Sequence, residues 1–140
     1  MRLVLDTNVI VAAFRNPFGA SAELLRLARL GKVQALASTA ICVEYEAVCN
    51  RTEHRLAAGA SQGDVSVFLD AIIEIVEPVD IWFLWRPQLR DPGDELVLEA
   101  AANGRADAIV TFNARDFGPA SSLFGISILA PRDIVSRFKP

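Results

Sequence analysis

The stretch LVLDTN, residues 3–8, decides the fold. Leu3, Val4 and Leu5 form a short apolar run that ends abruptly in a carboxylate, Asp6, and two small polar residues, Thr7 and Asn8. A helix-compatible apolar stretch, VIVAAF over 9–14, then resumes. A run bounded in this way reads as a buried strand. It delivers Asp6 to the end of a sheet, where open α/β folds place their chemistry. A carboxylate at such a position has two ordinary uses: it caps the next helix, or it binds a cation.

Working outward, the same alternation repeats. Residues 21–30 carry apolar side chains at helical spacing and stop at Gly31. Residues 33–37 form a short strand candidate. Thr39 is the expected cap of a helix running to about Arg51, and 52–63 reads as loop with some helix. Asp64 begins an amphipathic helix through about Ile75, and strand-like residues surround Pro78. After a loop over 86–93, a strong helix spans Asp94–Ala102 and closes at Asn103-Gly104. A buried strand over 108–111, a polar turn over 113–118, a strand over 126–129 and a helix opened by Pro131 complete the chain. Strands separated by helices predict one domain over 1–140, a three-layer α/β/α sandwich with a central, mainly parallel sheet. Right-handed crossovers then bring the strand ends carrying Asp6 and Thr111 to one edge.

Composition narrows the function. The 140 residues are 52% hydrophobic, which suits one well-filled core. No apolar run approaches the length of a membrane span, and Asp6 falls where a secretory apolar segment should continue, so a cytoplasmic protein is expected. Cys42 and Cys49 lie seven apart in a helix-like segment, about two turns apart, too far to bridge within one helix. With a single histidine elsewhere, no zinc site is suggested. The net charge of −3 advertises no global basic field, although all but two of the basic residues, Lys32 and Lys139, are arginines.

Four acids are expected to meet at the sheet edge. Asp6 follows the first strand, Glu44 lies one turn into the helix after Thr39, Asp94 starts its helix, and Asp116 follows the strand ending at Thr111. Each has an ordinary structural use: Asp6 and Asp94 as caps, Glu44 on a solvated face, Asp116 in an Asx-turn. Crowded together, however, carboxylates repel, and no lysine lies near these motifs. A hard divalent cation with oxygen ligands, Mg²⁺ or Mn²⁺, is the natural partner, and such a cluster suggests phosphodiester hydrolysis. Thr7, Asn8, Thr111 and Asn113 are small polar residues at the same strand ends, suited to supporting carboxylates, metal waters or a phosphate.

Four segments in series, LVLDTNV, STAICVEYEAVCNR, RDPGDELVLEAA and DAIVTFNARDF, resemble the PIN-domain family, in the family's order and over about positions 3–117. The wording is closest to bacterial and archaeal members described as toxin components of toxin–antitoxin systems, relatives of the VapC group. The resemblance implies that Asp6, Glu44 and Asp94 are the first three metal-binding acids. In the last motif Asn113 stands where some members have Asp, so Asp116 becomes the fourth acid with Asn113 in support. Asp91 and Glu95 flank Asp94 and could substitute for it in a second metal position. Glu46 is the rival to Glu44, but two residues along a helix points to a different face. The implied activity is a Mg²⁺- or Mn²⁺-dependent ribonuclease with an RNA substrate. The implied assembly is a homodimer, often with an antitoxin that blocks the site. Setting the four acids aside leaves the remainder of the chain at +1, and Arg15, Arg51, Arg90 and Arg115 are candidates for phosphate contact. Phe14, Phe18, Trp82, Phe83 and Trp85 are candidates for a dimer interface. The competing function is a catalytically weak or inactive PIN-fold module that binds RNA or a protein. Phosphoaspartate hydrolases and receiver domains need a lysine late in the sheet that is absent here, and no GxGxxG follows the first strand.

Overall fold

The computed structural model describes residues 1–83, 89–118 and 120–139, with the side chains of 120 and 121 excluded. Trp85 therefore lies outside the described residues. Five strands form one sheet: β1 (Arg2–Leu5), β2 (Gln34–Ala37), β3 (Val76–Pro78), β4 (Ala108–Val110) and β5 (Ser127–Leu129). Their order is β3-β2-β1-β4-β5, and every pairing is parallel. The helices α1 (Thr7–Arg15), α2 (Ala20–Arg29), α3 (Thr39–Cys49), α4 (Thr52–Ala58), α5 (Gln62–Ile75), α6 (Pro92–Asn103), α7 (Ala120–Phe124) and α8 (Pro131–Val135) cover it. The result is the expected three-layer α/β/α sandwich.

Parallel strands buried on both faces need uninterrupted apolar side chains, and the two central strands have them. Leu3, Val4 and Leu5 pair in register with Ala108, Ile109 and Val110, and all six are buried. Val9 and Ile10 in α1 and Leu98 in α6 extend this core, and Tyr45 of α3 is fully buried within it. Burying a side chain of this size contributes about 1.5–3 kcal/mol. Among the described residues no single helix is long and apolar enough to cross a membrane.

Several helix starts differ from the sequence expectation by a few residues, each for a capping reason. Ser38, not Thr39, caps α3, accepting a hydrogen bond from the Ile41 N–H at 3.2 Å. Ser61 begins α5 through a reciprocal box with Asp64, at 3.1 and 2.9 Å. Asp91, not Asp94, caps α6: its Oδ1 accepts from the Gly93 and Asp94 N–H groups at 2.7 and 3.2 Å, with Pro92 at the first helical position. The 52–63 segment contains α4, and the polar turn at 113–118 is a 3₁₀ turn over Ala114–Phe117. The helix α7 carries no clear sequence signal. Cys42 and Cys49 are both free thiols, and burial pushes Cys49 up to about 11, which leaves it unreactive.

Candidate active site

The strand order reverses between β1 and β4: β2 and β3 extend to one side, β5 to the other. A crevice opens at such a switch point, outside the carboxyl ends of the strands. Asp6 and Thr111 are the first residues beyond β1 and β4, so the topology sets them side by side. The Asp6 N–H donates to the Val110 carbonyl at 2.9 Å, which ties the two strand ends together.

Asp6 is buried and fixed from two sides. Its Oδ1 accepts from the Thr7 N–H at 2.8 Å, so it caps α1, and its Oδ2 accepts from the Thr111 hydroxyl at 2.7 Å. Both uses foreseen for this carboxylate are thus compatible: it caps the helix and still faces the crevice. Thr111 Oγ1 also accepts from the Asn113 N–H at 3.0 Å and from Asn8 Nδ2 at 3.4 Å. Asn8 Oδ1 in turn accepts from the Phe112 N–H at 3.4 Å. One threonine hydroxyl therefore organises the strand end, and Asn8 stitches α1 to the loop after β4. From behind, the buried Tyr45 hydroxyl donates to the Leu5 carbonyl, immediately before Asp6.

A polar cavity of about 460 Å³ lies over this edge. All four predicted acids, Asp6, Glu44, Asp94 and Asp116, line it, as do Asn8, Asn113 and Asp91. Glu44 faces the start of α6, where a Cβ on Gly93 would lie 3.7 Å from Glu44 Oε1. Glu95 does not reach the cavity. It is buried and accepts from the Leu89 N–H, anchoring the chain that leads into α6. Glu46 is exposed on another face of α3. Arg51 also lines the cavity, while Arg15 and Arg90 do not. Arg115 lines an adjoining concavity with Asp116.

His54 is the site residue that sequence reasoning missed. Packing of α4 against α1 turns it into the cavity, with its Nδ1 3.4 Å from Arg15 Nη1. An arginine only donates, so Nδ1 is the acceptor in this contact, while Nε2 lies 3.7 Å from Glu53 Oε1. The available sequence signal was its position three residues after Arg51 in a segment without a clear helical pattern.

The acids perturb one another. Burial raises the Asp6 carboxyl, its hydrogen bonds to Thr111 and Thr7 oppose the rise, and the charges of Asp116 and Asp91 add to it. Asp94 is pushed up to about 7, by burial first and then by Asp6, Asp91, Asp116 and Glu95. Such crowding is the mark of a site built for positive charge. The four acids offer anionic oxygen donors, which fit Mg²⁺ or Mn²⁺, and no thiol lines the cavity among the described residues. Among the described residues no three of these groups converge closely enough to cage an ion. Mg²⁺ does not need a cage, since it retains waters and takes one or two carboxylates.

A family model described as PIN domain matches residues 2–115. Among solved structures, the chain is similar to one described as the crystal structure of VapBC2 from Rickettsia felis bound to a DNA fragment from their promoter. The match has a TM-score of 0.63 at 15% identity and covers 93% of this chain and 98% of that one, which is a likeness of fold. No curated protein matches significantly.

Proposed function

The chain belongs to the PIN-domain family, and from that premise we propose that it is a metal-dependent ribonuclease, the toxin of a toxin–antitoxin pair. The observation that carries the reading is the meeting of Asp6, Glu44, Asp94 and Asp116 around one cavity at the sheet's switch point. A bound Mg²⁺ or Mn²⁺ would supply charge stabilisation at the phosphoryl group. Asp6, held by Thr7 and Thr111, is the fixed ligand of the proposed set. Glu44, Asp94 and Asp116 have no side-chain hydrogen bond among the described residues, which leaves them able to turn toward an ion or an attacking water. Asn8 and Asn113 belong to the support of Asp6 through Thr111 and are not themselves proposed as ligands. Arg51 makes no ion pair among the described residues and is the proposed phosphate contact on the cavity wall.

The toxin assignment draws on the fold shared with a VapBC2 complex; that protein was seen with its partner and promoter DNA. A cognate antitoxin, a cytoplasmic location and a homodimer accompany the proposal. Phe18, Trp82 and Phe83 are exposed and support an interface, whereas Phe14 packs inward against Phe68 with ring centroids 5.1 Å apart. The rival reading, a PIN-fold module that binds without cutting, is favoured by one observation, the splayed placement of the acids.

Incubating a defined RNA pool with wild type or Asp94→Asn, in Mg²⁺, Mn²⁺ or EDTA, separates the two. Cleavage only by wild type and only with metal is the expected result. Equal cleavage in EDTA or by the variant defeats the metal-dependent mechanism, and RNA bound but uncut in every condition establishes the module instead. Size-exclusion chromatography with light scattering tests the dimer; a monomer mass at micromolar concentration removes it.

A further inference from the structure

We propose that Phe112 is a stacking platform for an unpaired nucleobase next to the scissile phosphate, with Arg115 set for the adjoining phosphate. The inference rests on the ribonuclease reading and adds to it a base-binding subsite beside the acidic cavity.

Phe112 directly follows Thr111 and is 54% exposed. Isolated surface apolar side chains are common and need no explanation. This one differs in how it is held. Its own N–H donates to Asn8 Oδ1 at 3.4 Å, and the next N–H, that of Asn113, donates to Thr111 Oγ1 at 3.0 Å. The backbone that carries the ring is therefore tied to Thr111, which holds Asp6, and to Asn8, which itself donates to Thr111. Five residues on, Phe117 is fully buried. The segment has thus already placed one aromatic ring in the core while holding another at the rim.

The surroundings select the ligand. Phe112, Asn113, Ala114, Arg115 and Asp116 line a concavity of their own, and Asn113 and Asp116 also line the acidic cavity. A strand with a phosphate in the acidic cavity would carry its neighbouring base over the Phe112 ring. Arg115 is exposed and has no ion-pair partner among the described residues. An aromatic face beside an unpaired guanidinium suits a base and its phosphate. Paired bases in a duplex keep their faces stacked on one another and cannot use such a platform.

The test measures binding of a single-stranded RNA carrying 2-aminopurine, in an Asp94→Asn background so that the strand stays intact, and KM and kcat in the otherwise unmodified chain. Stacking is expected to change 2-aminopurine emission on binding. Phe112→Ala should abolish that change, weaken binding about 5- to 150-fold and act mainly on KM, while Phe112→Trp restores both. Duplex RNA should show no dependence on residue 112. Truncating this half-exposed side chain leaves the core intact, and an unchanged melting temperature checks it. Equal affinity and equal emission in Phe112→Ala overturn the proposal. Unchanged RNA affinity with reduced self-association overturns it too, and assigns the ring to a protein interface. RNA cut equally by wild type and Phe112→Ala removes the subsite alone. RNA bound through Phe112 but never cut removes the ribonuclease reading and leaves the subsite.

Discussion

Asp94→Asn is expected to stabilise the metal-free protein while removing the proposed metal-dependent activity. The Asp94 carboxyl rises from an ordinary 3.8 to about 7 because folding brings it out of water and among Asp6, Asp91, Asp116 and Glu95. Between about pH 4 and 7 the folded chain holds a proton that the unfolded chain has released. Folding stability from this group therefore falls as pH rises through that window and stays low above it. Taken at face value, the displacement corresponds to about 4 kcal/mol. Asp94 is partly open to water, however, and solvent screening reduces this to about 1 kcal/mol. For a chain of this size that is a gain of roughly 3 °C in melting temperature. The assay is thermal unfolding of both proteins in EDTA at pH 8 and pH 5. At pH 8 Asp94→Asn should melt higher; at pH 5 the two curves should draw together. In Mg²⁺ the order should reverse, because only the wild type gains the full stabilisation of a bound ion. A variant that melts lower at pH 8 in EDTA, or a difference that is the same at both pH values, refutes the electrostatic argument.

Other outcomes follow from the same structure. Thr111→Val removes the hydroxyl that donates to Asp6 and accepts from Asn8 and Asn113. A loss of about 1–3 kcal/mol is expected by chemical denaturation, together with a further rise of the Asp6 carboxyl measurable by carboxyl NMR titration. Tyr45→Phe leaves the Leu5 carbonyl without its buried donor; a cost of about 1–2 kcal/mol and weaker metal binding by calorimetry are expected. Gly104→Ala would place a Cβ 2.8 Å from the Ala100 carbonyl and 2.9 Å from Val79 Cγ2, so overpacking should cost about 1–3 kcal/mol in unfolding experiments.

Much of this was readable in the chain. The strand before Asp6 is legible because three apolar residues meet a carboxylate and two small polar groups without transition. Glu44 and Glu46 separate correctly because helical spacing alone sends them to different faces. Asp94 lines the cavity, but not as the expected cap: the cap is Asp91, and Pro92 starts the helix that carries Asp94 in its first turn. The sequence between 91 and 94 offers two aspartates at capping distance, and only backbone geometry chooses between them. The strand order was not legible, since parallel pairing is a non-local choice that no short pattern encodes. His54 was missed for the same reason. Its approach to the cavity depends on how α4 leans on α1, a tertiary fact with no local signature.

Thr111 and Asp6, joined by one hydrogen bond, are 105 residues apart in the chain. The site also takes Glu44 from the middle of the sequence and Asp116 from beyond β4. No early segment of the protein holds enough of it to work. During synthesis, domains complete their non-local contacts only once the partner strands have emerged. A growing chain short of Asp116 therefore carries Asp6, Glu44 and Asp94, but not the full set of acids that lines the cavity. Under the proposed ribonuclease activity, the order of the sheet would work as a delay: the nascent chain lacks the complete set of acids until nearly all of its own message has been read.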